Sequence, residues 1–175
     1  MLITDTRALV DFLGRLEGAP YVAIDTEFLR EKTYWPKLCL VQLAFGEDAA
    51  AIDALAPGID LAPLFGLLDD RDVLKVFHSA AQDMEVFWKV AGRLPAPIFD
   101  TQVAAMVCGF GEQAGYATLA SRLAGADLDK ASQLTDWSLR PLSSRQIKYA
   151  LSDVTHLCTI YDKLSAQVGE NGRAT

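Results

Sequence analysis

Residues 38–45 read Leu-Cys-Leu-Val-Gln-Leu-Ala-Phe, an apolar run broken only by Gln42. A run this short and this apolar marks a strand buried inside a sheet, and such a strand needs neighbours to pair with. The spacing around it supplies them. Tyr21 to Phe28 reads as another buried strand, Lys37 to Phe45 contains the run itself, and Ala49 to Ile52 is a short third, so an antiparallel N-terminal meander is expected. Ahead of it, Asp5 or Thr6 can cap a helix whose stripe Leu9, Val10, Phe12, Leu13 and Leu16 ends at Gly18. Behind it come a helix near Leu61 to Leu68, a strand Val73 to Phe77, a helix Ser79 to Val90, a strand Pro97 to Asp100 and a helix Thr101 to Cys108. Strands alternating with helices in this way predict an α/β fold with a mixed central sheet flanked by helices. From Ala117 onward only helical periodicity is visible; it ends in a long helix from about Ser143 to Val168, and a frayed tail is expected after Gly169.

The whole chain, residues 1–175, is expected to form one domain, since no repeat or linker composition divides it. No apolar run approaches the length of a membrane span, and the N-terminus lacks a basic segment followed by an apolar one. Cys39, Cys108 and Cys158 are odd in number and far apart, which argues against a disulfide framework or a zinc cluster and fits a reducing, cytoplasmic location. With 23 acidic and 16 basic residues the formal net charge is −7, too negative to grip nucleic acid by bulk electrostatics alone. A phosphate-bearing substrate would need metal ions or a local basic strip.

Three short segments carry acids in positions that matter for such a substrate. Asp25 and Glu27 sit two apart at the end of the first long strand, so their carboxylates project from one face. Like charges so placed repel unless a cation lies between them, and oxygen-only ligands favour Mg²⁺ or Mn²⁺; two exposed acids on a strand entering solvent is the plainer alternative. In His78-Ser79-Ala80-Ala81-Gln82-Asp83, the Ser79 to Gln82 spacing is that of a capping box and places Asp83 in the first turn of a helix, where an acid also complements the helix dipole. His78, at a strand end, is equally a hydrogen-bonded core residue. On the last helix Tyr149 and Asp153 share a face distinct from the core stripe Ile147, Leu151, Val154, Cys158 and Tyr161. That pair could also be a solvated one.

Taken together, Asp25 and Glu27 on a strand end, Asp83 opening a helix and Tyr149-x-x-x-Asp153 on a late helix resemble the three motifs of the DEDD exonuclease superfamily, tyrosine subtype. The segments FLREKTYWPKLCLVQLAF, HSAAQDMEVF, IFDTQ and DWSLRPLSSRQIKYALSDVTHL extend the likeness, and residues 3 to 168 resemble ribonuclease D. Lys148 stands where the histidine subtype has its histidine, which assigns the tyrosine subtype. Ribonuclease D proteins usually continue into helical HRDC domains, and no such domain is expected within residues 1–175.

The resemblance implies a ribonuclease H-like fold and a metal-dependent 3′-5′ exoribonuclease that releases 5′-mononucleotides by a two-metal-ion mechanism. Asp25 would bridge two divalent ions, Mg²⁺ or Mn²⁺; Glu27 and Asp153 would complete the nucleophile-side ion, Asp83 would hold the other, and Tyr149 would orient the attacking water. The implied partner is RNA with a free 3′ hydroxyl, tRNA precursors included, and no protein partner is inferred. Phe28 is a candidate stacking wedge, balanced against core packing. Thr26, His78, Gln82, Arg140 and Lys148 are further candidate nucleic-acid contacts, and Arg30, Lys32, Lys37 and Arg145 could add to a basic rim. Tyr34 and Trp35, just before Pro36, could contact bases or pack locally. Two alternatives share the fold: an inert nucleic-acid-binding module and a DNA-directed 3′-5′ exonuclease. Retention of all four acids and Tyr149 disfavours the first, and the length of the ribonuclease D likeness disfavours the second.

Overall fold

The computed structural model describes residues 1–30, 34–128 and 135–170. Its centre is an antiparallel meander of β2 (Tyr21–Leu29), β3 (Lys37–Phe45) and β4 (Asp48–Asp53). A two-residue β1 (Leu2–Ile3) lies parallel to β4, while β5 (Leu74–Phe77) and β6 (Ile98–Asp100) extend the other side parallel to β2, giving the order β1-β4-β3-β2-β5-β6. The helices are α1 (Thr6–Arg15), α2 (Ala62–Asp69), α3 (Ala81–Ala91), α4 (Thr101–Val107), the short α5 (Tyr116–Leu119) with a π-helical turn at Ala120–Ala124, and α6 (Ser144–Glu170). The expected mixed sheet with helices on its faces is therefore observed. Among the described residues no helix is long and apolar enough to cross a membrane.

Period-two alternation decides which layer each strand residue joins. Val22, Ile24, Val41 and Leu43 face a core shared with Leu9, Phe12, Leu64 and Val86, which belong to α1, α2 and α3. Tyr21, Ala23, Ala44 and Val76 face the opposite way, onto Val154, Leu157 and Cys158 of α6. Each fully buried Leu, Val or Phe contributes about 1.5–3 kcal/mol relative to exposure, so these two faces hold the strand end of β2 firmly between two helical layers.

Local chemistry explains most element boundaries. Asp5 caps α1 by accepting a hydrogen bond from the Ala8 amide at 2.9 Å. Lys75, inside β5, is fully buried; its three ammonium donors go to the carbonyls of Asp70, of Val73 at 2.7 Å and of Ala96 at 2.9 Å.

Three expectations differ from the structure. The Ser79–Gln82 capping box does not form: α3 starts at Ala81, and the turn before it is held by Asp100. The stripe of α6 is rotated from the one expected, since Ala150, Asp153, Val154, Leu157, Cys158, Ile160 and Leu164 are its buried residues, whereas Ile147, Leu151 and Tyr161 are half-buried. The cause is that α6 lies across the sheet and against α4 and the π turn at once, so its buried surface is broader than one helical stripe. Helix α6 also runs to Glu170, beyond the expected end, and the tail after it lies outside the described residues.

Candidate active site

The alternation of β2 that builds the core also builds the site. Asp25 and Glu27 continue the row of Tyr21 and Ala23 toward α6, while Thr26 points the other way, toward α3. Asp153, only 5% exposed although acidic, reaches the strand end from α6: one oxygen each from Asp25, Glu27 and Asp153 lies within 4.8 Å of the others. Asp83, 7% exposed and in the first turn of α3, accepts a hydrogen bond from the Thr26 hydroxyl at 2.5 Å. A cleft of about 240 Å³ opens here, lined by Asp25, Asp83, Tyr149 and Asp153 together with Thr26, Phe28, His78 and Gln82. The three segments singled out in the sequence therefore converge on one place.

The turn that delivers Asp83 is fixed from a distance. Ser79 has φ of +56°, a left-handed conformation that a non-glycine residue adopts only when its surroundings impose it. Asp100, at the end of β6, accepts hydrogen bonds from the amides of Ser79 at 3.0 Å, Ala80 at 2.9 Å and Gln102 at 2.8 Å. Its carboxylate thus anchors the entry to α3 and caps α4 at once. Next to it, Thr101 donates its hydroxyl to the Phe77 carbonyl at 3.0 Å, which leaves its oxygen to accept from His78 Nδ1, also at 3.0 Å. His78 is thereby held with the proton on Nδ1 and Nε2 free to accept. Tyr116 packs its ring 5.3 Å from that of His78 and donates its hydroxyl to the Asp153 carbonyl, pinning α6 to the cleft.

Converging carboxylates repel, and the site shows it. Burial, then the charges of Asp25, Asp153 and Asp83, push Glu27 up to about 10. Burial, then the charge of Asp25, pushes Asp153 up to about 8, against a contact with the Tyr149 hydroxyl that pulls it down. Asp25 and Asp83 rise as well, each chiefly through burial. Burial and the neighbouring Asp153 hold the Tyr149 phenol far above its ordinary range, so it remains a hydrogen-bond donor. His78 is lowered by burial against the pull of Asp100 and is neutral at pH 7.

This donor set fits a divalent cation. Carboxylate oxygens are the hard ligands that Mg²⁺ and Mn²⁺ take, and Oδ1 of Asp153 is buried without a hydrogen-bond partner in the protein. An ion held there would satisfy that oxygen and neutralise the repulsion that raises Glu27. Among the described residues, the only basic side chain that lines the cleft is His78.

Two of the candidate contacts lie elsewhere. Arg140 directs all five of its donors inward: Nε and Nη2 grip Asp53 at 2.7 and 2.5 Å, Nη2 also reaches the Cys39 carbonyl at 3.0 Å, and Nη1 bonds the carbonyls of Trp137 at 2.7 Å and Leu139 at 2.9 Å. Its guanidinium is thus used in tying the segment before α6 to β3 and β4, and Arg140 is not among the side chains that line the cleft. Lys148 is exposed on α6 and is not among the side chains that line the cleft. Of the rim, Arg30 pairs with Glu85 at 2.8 Å, Lys37 and Arg145 are exposed, and Lys32 lies outside the described residues. Tyr116 belongs to no motif, and Asp100 and Thr101 enter the sequence reading only within the IFDTQ segment, with no role given, since each acts through a partner more than 20 residues away in sequence.

Comparison with known proteins agrees with this geometry. Residues 1–169 match the family model described as 3′-5′ exonuclease. Ribonuclease D of Gluconacetobacter diazotrophicus is 57% identical over 173 residues, 99% of this chain and 44% of the relative; the chain spans less than half the length of the curated relatives it matches. The crystal structure of Escherichia coli RNase D superposes with a TM-score of 0.95 at 40% identity, covering 99% of this chain and 46% of that one. Brucella melitensis NrnC with bound Mg²⁺ superposes with a TM-score of 0.79 at 30% identity, over 91% of this chain and 79% of the other. With its acids gathered as the motifs require and its length matched almost throughout, this chain belongs to the 3′-5′ exonuclease family.

Proposed function

We propose that this chain is the catalytic unit of a metal-dependent 3′-5′ exoribonuclease of the ribonuclease D type, which shortens RNA from a free 3′ hydroxyl and releases 5′-mononucleotides. The observation that carries the reading is the meeting of Asp25, Glu27 and Asp153 oxygens within 4.8 Å, beside buried Asp83 and Tyr149, in an open cleft. It is supported by relatives named ribonuclease D and by likeness to the E. coli protein, described as an exoribonuclease involved in structured RNA processing. Trimming of tRNA precursors and other stable RNA 3′ ends follows from that likeness. A cytoplasmic location is part of the reading, supported by cysteines that are odd in number and far apart in the sequence.

Two divalent ions, Mg²⁺ or Mn²⁺, would be held by the carboxylates, Asp25 serving both, Glu27 and Asp153 the nucleophile side and Asp83 the other; Mg²⁺ is bound in NrnC. Such ions, when bound, lower the pKa of a water and neutralise charge growing on the phosphoryl oxygens. The chain's own residues do the positioning. Tyr149, whose hydroxyl meets Asp153 at the cleft, orients the attacking water. Phe28, half-buried at the mouth of the cleft, stacks against a terminal base, and Nε2 of His78 accepts a hydrogen bond from the terminal nucleotide.

RNA and DNA strands of one sequence, carrying either a 3′ hydroxyl or a 3′ phosphate, test the reading in Mg²⁺, in Mn²⁺ and in chelator. Metal-dependent loss of nucleotides from the hydroxyl-ended RNA, with the 3′ phosphate blocking, is expected. Degradation that survives chelation, or that prefers DNA, would overturn it.

A further inference from the structure

Outside the cleft the chain displays aromatic side chains that the chemistry above does not use. Tyr34 is 85% exposed, Trp35 41% and Trp88 53%, an unusual outlay of large rings on one side of a protein surface. They line two adjoining depressions of about 600 and 520 Å³, both walled by Tyr34 and Trp35. The first is lined by sequence neighbours of residues that line the cleft. Along β2 and its exit, Phe28 lines the cleft and Arg30 lines the groove, and in the first turns of α3 Gln82 and Asp83 face the cleft while Met84 and Glu85 face the groove.

Charge distinguishes this surface from an ordinary apolar patch. Arg30, Lys37 and Lys89 stand there against Glu85, in a chain whose acids outnumber its bases 23 to 16. Arg30 and Glu85 pair at 2.8 Å, and the Lys89 ammonium lies 5.8 Å from the centre of the Trp35 ring. An apolar protein partner would bury that ammonium without a counter-charge, which is costly, whereas a phosphate would neutralise it. Flat exposed rings interleaved with cations are what single-stranded nucleic acid requires, because every base offers a face to stack and every linkage a charge.

We propose that the two adjoining depressions walled by Arg30, Tyr34, Trp35, Trp88 and Lys89 are a second nucleic-acid subsite, which stacks the bases of the single strand lying 5′ to the nucleotide held in the cleft. The inference rests on the exonuclease reading for its polarity: with the 3′ terminus at Asp25 and Asp153, the strand that leaves past Phe28 runs in the 5′ direction. The groove contributes affinity for length without touching the reacting phosphate.

The test compares oligoadenylates of two and ten nucleotides, by binding in Ca²⁺ and by hydrolysis in Mn²⁺. The ten-mer is expected to bind more tightly than the dimer and to quench the fluorescence of the exposed tryptophans. Trp88→Ala and Tyr34→Ala should each weaken ten-mer binding by roughly 5- to 150-fold, the range for one lost stack. Hydrolysis of the dinucleotide should stay unchanged, and Trp88→Phe should recover part of the loss. A ten-mer with abasic residues upstream of its last two nucleotides should lose the same advantage on the unaltered protein. Ten-mer binding unaffected by both alanine variants, or equal binding of the abasic strand, would overturn the groove. So would variants that alter only self-association in sedimentation, which would make the face a protein contact. If neither oligonucleotide is hydrolysed, the exonuclease reading fails, and the tryptophan quench still decides the groove.

Discussion

Glu27→Gln should change how the metal-free protein responds to pH, and the direction follows from the cluster. In the fold Glu27 is pushed up to about 10 by burial and by Asp25, Asp153 and Asp83. In the unfolded chain it titrates near 4.3. Between pH 7 and 8 the native state therefore keeps a proton that the unfolded chain has lost, and stability falls as pH rises. One retained proton corresponds to about 1.4 kcal/mol per pH unit. For a domain of this size that is about 3–6 °C in melting temperature. Other groups contribute their own slopes: Asp153 and Asp83, each pushed up to about 8, also hold protons in the fold, whereas the N-terminal amine, lowered by burial and by Arg15, and His78 and His156, also lowered, give up in the fold a proton that part of the unfolded chains still carry near pH 7. The difference between wild type and Glu27→Gln cancels the contributions that do not depend on the Glu27 charge and leaves those of Glu27 and the acids that face it. Thermal melts in chelator at pH 7.0, 7.5 and 8.0 and fixed ionic strength should show the wild type losing stability more steeply, by up to about 1.4 kcal/mol per unit. With saturating Mn²⁺ the wild-type slope should flatten or reverse, because binding expels the protons the carboxylates held. Equal slopes for the two proteins in chelator would refute the argument that repulsion within this cluster protonates Glu27.

Further outcomes follow from the same geometry. Asp25→Asn and Asp153→Asn should each lower turnover by several orders of magnitude, measured on end-labelled RNA, since each removes an anion from the cluster that fits the cation. Tyr149→Phe should preserve Mn²⁺ and RNA affinity while reducing turnover by about 10²-fold, the loss of one positioned proton-bearing group. Arg140→Ala should cost about 3 kcal/mol in denaturant unfolding, because it strands Asp53, only 4% exposed, without its cation. RNA affinity of the folded variant should not change.

The strands and the acids were readable because their signals are local. An apolar run such as residues 38–45 can only be a strand in a core, and carboxylates two apart on a strand or four from a tyrosine on a helix must share a face. What escaped the sequence is carried by long-range partners. Ser79 and Gln82 have the spacing of a capping box, yet Asp100 holds the turn, because β6 brings a full carboxylate to two free amides and the left-handed Ser79 is oriented to accept that arrangement. Asp153 was expected on a face away from the core and is nearly buried, since α6 presses its acid onto the end of β2. Arg140 looked like part of a basic rim because its partner Asp53 lies 87 residues earlier. The two-residue β1 is too short for any periodicity to register and exists through its pairing with Ala51 and Ile52. Tyr116, which braces both His78 and Asp153, falls between the helix expected to end at Cys108 and the helical periodicity that begins at Ala117, where no pattern is visible.

The most direct test of the account follows a 5′-labelled RNA of about 20 nucleotides through time with Mg²⁺, beside the same reaction with Asp25→Asn. The account predicts a ladder that shortens one nucleotide at a time from the 3′ end, 5′-mononucleotides as the only other product, and no shortening by the variant. Internal fragments at the earliest times, or a variant that works within tenfold of wild type, would contradict the claim that these carboxylates hold the ions that cut RNA from its 3′ end.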